Sequence, residues 1–498
     1  MSYTEPLGPR RAVPALVAAC GFLVFLGSLA LEPEAMVAGA VVLLLACVLA
    51  VRETAAPVVT WSNSIVCLVL IIWLIPIKTY RLPIELPFAL EPYRIFLLAL
   101  VGVWFLAALA GRATLGAGGH GRALALFAGA ALVSQIVNFQ EIDAGPLEGE
   151  ALKALSYFFS FVVIFLVVTS TVSTFEGLER VVRAMVVGAI IVAVGALYDS
   201  RFSYNVFDHL SEFFPGLVQV PREVVEERGG RLRVYGSAQH PIALGCALLM
   251  VLPLAIYLAG RATTLVRSRL WLVGAVVIAA GALATVSRTT VVMLVGMTLM
   301  AIWLRGRTIT RFWPLLIVLP FVVHFVAPGA LGGLYKSFFP KHGLVTDLTE
   351  RAGQGGSGRF ADVGPGLELW TQSPVVGHGL GSQTVAAADP GEVSPGQAVP
   401  ELIFDNQYLN TLVTLGVLGI VAALWMVWGS AAKLGRAARQ RAGPVSDLLV
   451  ASAVASVGFG ASMVLFDAFY FVQATLVFFV VAAVGFRARA LAQDPIRA

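Results

Sequence analysis

Four stretches of the sequence combine residue types that could do chemistry: RLRVYGSAQHPIALG (231–245), TVSRTTVVML (285–294), RFADVGPGLELWTQSPVVGHGLGS (359–382) and FDNQYLNTLVTLGVLGI (404–420). Together they supply Arg231, Arg233, Arg288 and Arg359, with the acids Asp362, Glu368 and Asp405. A phosphate or diphosphate is held best by several fixed N–H donors, and guanidinium offers these as a planar fork that never deprotonates. A carboxylate beside it could take the proton of an attacking hydroxyl. Asp405 could be such a base, or it could cap the helix that starts there. Asn406, His240 (just before Pro241) and His378 (in Gly-His-Gly) are secondary candidates. The glycine-rich turn around His378 lacks the strand–helix unit that would make it a dinucleotide fingerprint. His324 reads as a buried histidine inside an apolar run, and Asp467 as a helix-end carboxylate facing water.

The elements that must position these residues are membrane spans. The chain of 498 residues is 58% hydrophobic and only 13% charged, with a mean hydropathy of +0.86. Apolar runs close to the ~20 residues needed to cross a bilayer recur along its length. About fourteen spans are predicted, near 13–31, 35–51, 62–77, 93–111, 122–138, 152–172, 180–198, 240–260, 270–287, 289–304, 312–331, 404–428, 447–466 and 469–486. No cleavable secretory signal is evident, so the first run is read as a span. The four cysteines fall inside apolar runs and have no metal-type spacing, so neither a disulfide nor a metal site is expected.

Charge orients the spans. With both termini in the cytoplasm, about 20 of the 34 Lys and Arg fall on short inner turns, while the acids gather on the outer side. The net charge of +5 is then a topology signal, and nucleic acid is excluded as a partner. The chain divides into spans at 1–198, an outer loop with an interfacial helix at 199–239, spans at 240–331, a long outer loop at 332–403 and spans at 404–498. In the first loop Phe207, Leu210 and Phe214 have helical spacing; they suit either a surface-lying helix or a loop packing its aromatics on the bundle. In the second, 353–358 and 388–401 read as linkers. Arginines at a membrane boundary often only snorkel to headgroups. Arg288 departs most from that alternative, because its turn has almost no length and lies on the side that disfavours positive charge.

At these four stretches the chain resembles the O-antigen ligase and polymerase family. RVYGSAQHP looks like the family's Arg-x-x-Gly…Pro helix start, and SRTT resembles its Ser-Arg pair. The stretch from Arg359 through Trp370 to SPVVGHGLGS is similar to its outer-loop signature ending in Gly-x-Gly-x-Gly. DNQYLNTLVTLGVLG resembles its His/Asp-Asn…Tyr-Leu…Gly…Gly helix. The likeness covers about 231–420 in order and spacing.

The resemblance implies an all-α, polytopic glycosyltransferase of the cytoplasmic membrane that needs no metal or other cofactor. It would move a glycan from a polyprenyl-diphosphate donor to a sugar hydroxyl on the outer face, with Arg233, Arg288 and Arg359 on the diphosphate. Its partners would be the lipid-linked oligosaccharide, a glycan or lipid acceptor, and membrane lipids. Ligases of the family typically carry His where this chain has Asp405, and the Asp-Asn form looks more like the polymerase branch. A ligase is the alternative within the family. A transporter or lipid-glycan flippase is the rival from another class, although its site would be expected at the membrane midplane.

Overall fold

The computed structural model describes residues 60–83, 90–111, 113, 115–116, 118–143, 148–220, 227–228, 231–309, 313–341, 343–349, 360–382 and 404–493. Its longer helices are numbered here in chain order. They are α1 (Trp61–Leu74), α2 (Pro92–Leu109), α3 (Gly121–Val137), α4 (Glu148–Thr171), α5 (Phe175–Phe202), α6 (Pro241–Arg261) and α7 (Leu265–Ala284). There follow α8 (Arg288–Ile309), α9 (Trp313–Val326), α10 (Ala330–Phe338), α11 (Val363–Gln372), α12 (Gln407–Arg439), α13 (Pro444–Ser462) and α14 (Val472–Leu491). Strands among the described residues are limited to two short antiparallel pairs, Tyr80–Arg81 with Val218–Gln219 and Glu227–Arg228 with Arg231–Leu232. The protein is all-α and polytopic, as expected.

The spans conform to the sequence reading with three differences. Nine described helices are long and apolar enough to cross a membrane. The runs expected at 62–77 and 122–138 form shorter apolar helices, α1 and α3. The run at 312–331 is a pair, α9 and α10, bent by 111° at a break. Gly329 at φ +81° makes that corner, a conformation open to glycine at little cost. The spans expected at 13–31 and 35–51 lie outside the described residues, as do the linkers 353–358 and 388–401.

α6 and α14 are buried on almost every side, which suits helices that are apolar all round. Threonines at Thr60, Thr174 and Thr264 cap the starts of α1, α5 and α7 at one end of the bundle. At the other end, His240 and Asn406 cap α6 and α12. After α5, Phe207 packs on the bundle while Phe213 and Phe214 stay exposed.

α12 holds the feature that shapes the site end. It is interrupted at Gly416, which adopts φ 63° and ψ −161°, backbone torsions essentially closed to any side chain. The loop after α11 takes over the hydrogen bonds lost at the break. His378 N donates to Val413 O at 3.0 Å and Gly379 N to Thr414 O at 2.9 Å; Val417 N donates to Pro374 O at 2.9 Å and Leu418 N to Val375 O at 3.2 Å. From α3, Ser134 Oγ donates to Thr414 O at 2.8 Å and Asn138 Nδ2 to Gly377 O at 2.9 Å. A Cβ on Gly377 would lie 2.4 Å from Thr414 C, and one on Gly416 would lie 2.3 Å from Val375 O. Gly416→Ala should therefore destabilise the fold by about 3 kcal/mol or more. Gly332→Ala, at a helical position with open space around it, should leave thermal unfolding in detergent unchanged or slightly raised. Equal unfolding temperatures for the two variants would refute the clasp.

Candidate functional site

The turn between α7 and α8 carries Thr285, Val286 and Ser287 and delivers Arg288 as the first residue of α8. Val286 sits at φ +50°, strained for a β-branched residue. Ser287 and Thr289 are fully buried, and Arg288 is only 5% exposed. Arg288 Nη1 pairs with Asp347 Oδ2 at 2.7 Å. Its Nε, Ser287 Oγ and Thr289 Oγ1 are buried with no hydrogen-bond partner among the described residues. Arg233, also 5% exposed, extends Nε toward Thr285 O at 3.4 Å. Two guanidinium groups thus flank one strained turn, held away from water where a lone headgroup anchor would lie in it. Buried cations of this kind are costly unless anionic groups meet them.

Residues 233–240 lead from this turn to the loop 463–471 between α13 and α14. Gln239 Oε1 accepts from Val472 N at 2.9 Å, and Gln473 Nε2 donates to Ser237 Oγ at 3.1 Å. The His240 ring lies 5.3 Å from that of Phe471. The same loop takes the start of α12, since Gln407 N donates to Met463 O at 2.8 Å and Phe469 N to Gln407 Oε1 at 2.5 Å. From the α1–α2 connection, Lys78 Nζ donates to Tyr470 O at 3.0 Å and sits 3.4 Å from the Tyr470 ring centroid. Lys78 itself is held at φ +62°, with its N–H donating to Glu91 Oε1 at 3.1 Å. Glu91 is buried, paired with Arg94 Nε at 2.7 Å and accepting from Tyr157 Oη at 2.7 Å. Burial pushes the Glu91 carboxyl up, with Arg94 and the Tyr157 hydroxyl opposing it.

A cleft opens beside this loop, with Lys78, Lys153, Tyr157, Gln407, Asn410 and Asp467 among its walls. Asp467 corrects the expectation of a carboxylate facing water, since it is 2% exposed. Its Oδ2 accepts from Asn410 Nδ2 at 2.6 Å and its Oδ1 from Tyr470 N at 3.4 Å. Burial pushes its carboxyl up to about 7; the Tyr470 N–H, Lys78 and Asn410 oppose that push and the charge of Asp405 adds to it.

The sequence candidates separate into groups. Arg233 and Arg288 come together at the α7–α8 turn. Asp405 is half-buried just before α12, near enough to Asp467 for the two charges to interact. The cap of α12 is Asn406, whose Oδ1 accepts from Tyr408 N and Leu409 N. His240 Nδ1 accepts from Ile242 N at 3.1 Å, and His378 Nε2 meets Leu369 O at 2.9 Å, fixing the loop to α11. Asp362 and Glu368 lie at the start and on the exposed side of α11. Arg359 lies outside the described residues, and so does the side chain of Arg231, although its backbone pairs with Arg228. Sequence reading passed over Lys78, Glu91, Asp347 and Asn410. The available signal was a charge at the end of an apolar run, Lys78 in IPIK.

A family model described as O-antigen ligase matches residues 273–424. No curated protein matches the chain. The matched interval runs from α7 past the break in α12, so it includes the Arg288 turn and the clasp but not Lys78, Arg233 or Asp467. Over that interval the chain is similar to the O-antigen ligases, a family of membrane enzymes that transfer glycans.

Proposed function

We propose that the protein is a glycosyltransferase that moves a glycan from a polyprenyl-diphosphate donor to a sugar hydroxyl on the outer face of the cytoplasmic membrane, acting as a polysaccharide polymerase. The observation that carries this is the α7–α8 turn, where Arg288 is buried with Arg233 alongside, and where Arg288 Nε, Ser287 Oγ and Thr289 Oγ1 meet no acceptor among the described residues. Those donors suit the negative charge that grows on a departing diphosphate. Arg359, from the loop before α11, would join them. Asp405, in place of the His typical of ligases, is what favours the polymerase reading over ligation.

Asp347 holds one prong of Arg288 and would be exchanged for a diphosphate oxygen. Arg288→Lys keeps the charge and loses the fork. A lost charge-assisted bond costs on the order of 1.5–3 kcal/mol, so turnover should fall at least ~10-fold. The assay is lengthening of lipid-linked oligosaccharide by purified protein in detergent. Full activity in Arg288→Lys would remove Arg288 from the diphosphate site, and lack of lengthening by the parent would favour a transporter or flippase.

Orientation follows from charge. Arg261, Arg267, Arg269, Arg436 and Arg439 lie at the end of the bundle opposite the cleft, and the positive-inside rule makes that end cytoplasmic. A cysteine at Glu212 should react with an impermeant thiol reagent in intact cells, and one at Gln440 only after permeabilisation; the reverse pattern would put the site inside.

With arginine supplying the charge, transfer should also survive EDTA. Loss of transfer under EDTA, restored by magnesium or manganese, would replace the arginine mechanism with a metal-assisted one.

A further inference from the structure

One membrane helix presents a polar stripe that lies apart from the arginine turn and meets the clasp at Thr414; within it Gln407 Nε2 donates to Thr411 Oγ1 at 3.0 Å and Thr414 Oγ1 to Asn410 O at 2.7 Å. Gln407, Asn410, Thr411 and Thr414 recur at i, i+3, i+4 and i+7 on α12 and so share one face. All four line the cleft. Polar side chains at membrane depth are costly and mark function by default. Tyr157 and Phe158 of α4 line the cleft too. Amides, hydroxyls and aromatic rings around one cleft are what a sugar presents partners for, since it has hydroxyls around its rim and C–H bonds on its faces.

We propose that this cleft binds the acceptor sugar and that Asp467 takes the proton from its attacking hydroxyl. The proposal rests on the transferase reading above. Asp467 is set for the task by geometry. Asn410, on the polar stripe, orients one carboxylate oxygen at 2.6 Å, and the Tyr470 N–H holds the other at 3.4 Å. Asp405 precedes the α12 cap and does not line the cleft. It acts on the site through its charge. In the step itself, the acceptor oxygen bonds to the anomeric carbon while the bond from that carbon to the diphosphate oxygen breaks. The electron pair leaves with the diphosphate, toward Arg288 and Arg233, and the hydroxyl proton passes to the Asp467 carboxylate.

The charges acting on Asp467 are Lys78 from the α1–α2 connection and Asp405 from just before α12, and the Glu150–Lys153 pair of α4 shares the cleft. Burial leaves the carboxyl titrating near neutrality, at about 7, where a general base is most effective. Transfer should therefore rise with pH through about 7, as the carboxyl loses its proton.

The test compares the parent with Asp467→Asn, Asn410→Leu and Arg288→Lys. Transfer is followed with lipid-linked oligosaccharide extracted from the producing cells, and donor binding with undecaprenyl diphosphate by native mass spectrometry. Asp467→Asn should lower transfer at least ~100-fold and abolish its rise with pH, with undecaprenyl diphosphate bound within about twofold of the parent. Asn410→Leu keeps the carboxylate but removes a bond to its charged form, so the rise should move to higher pH. Arg288→Lys should instead weaken undecaprenyl diphosphate binding. Near-parental transfer by Asp467→Asn, or its loss of diphosphate binding, overturns the base assignment and leaves the transferase reading standing. Should Asp467→Asn fail to purify, an unmoved pH limb in Asn410→Leu overturns it equally. A parent that transfers nothing overturns the transferase reading, and this assignment with it.

Discussion

A helix broken inside a membrane must find a partner for every backbone group it releases, because lipid offers none. In this protein that requirement falls on the break at Gly416. Its answer, a loop lying across the break and donating and accepting in turn, draws α3, α11 and α12 to one place. The cleft borders the clasp through Thr414, Leu415, Leu380 and Gly381. The polar stripe of α12 is therefore held at a fixed height and rotation by backbone hydrogen bonds, which are less forgiving than side-chain packing.

The loop 463–471 does for the other side what the clasp does for α12. It receives Lys78 from one connection, Gln239 from another and the first residues of α12 from a third. Segments almost 400 residues apart in sequence meet on its carbonyls. Arg233 and Arg288 belong to the same assembly, because residues 233–240 run directly from the arginine turn onto this loop. Donor charge and the acceptor cleft, on the proposed reading, are thus coupled through one short connection.

Much of this was legible in the residues. Apolar runs gave the class and most helix positions, since burial and bilayer thickness act on composition directly. Arg288 announced itself by occupying a turn too short to need it. The bend between α9 and α10 was hidden because Gly329 and its neighbours keep the run apolar throughout; hydropathy does not sense direction. Asp467 was misjudged for a related reason. A carboxylate between two spans looks solvated, and only tertiary packing shows that Asn410 and the loop close over it. Lys78 escaped notice because its partners come from distant parts of the chain. Asn406, by contrast, takes the capping role that sequence alone could equally give to Asp405, and the choice depends on one residue of register.

Both ends of the segment 383–403 are anchored in the bundle. Before it, Gly381 packs directly on the backbone of Ala151; after it, Phe404 is fully buried. Gly381, at φ +87°, leaves no room for a side chain against α4, so any substitution there would push the clasp loop off the cleft wall that Leu380 and Gly381 form.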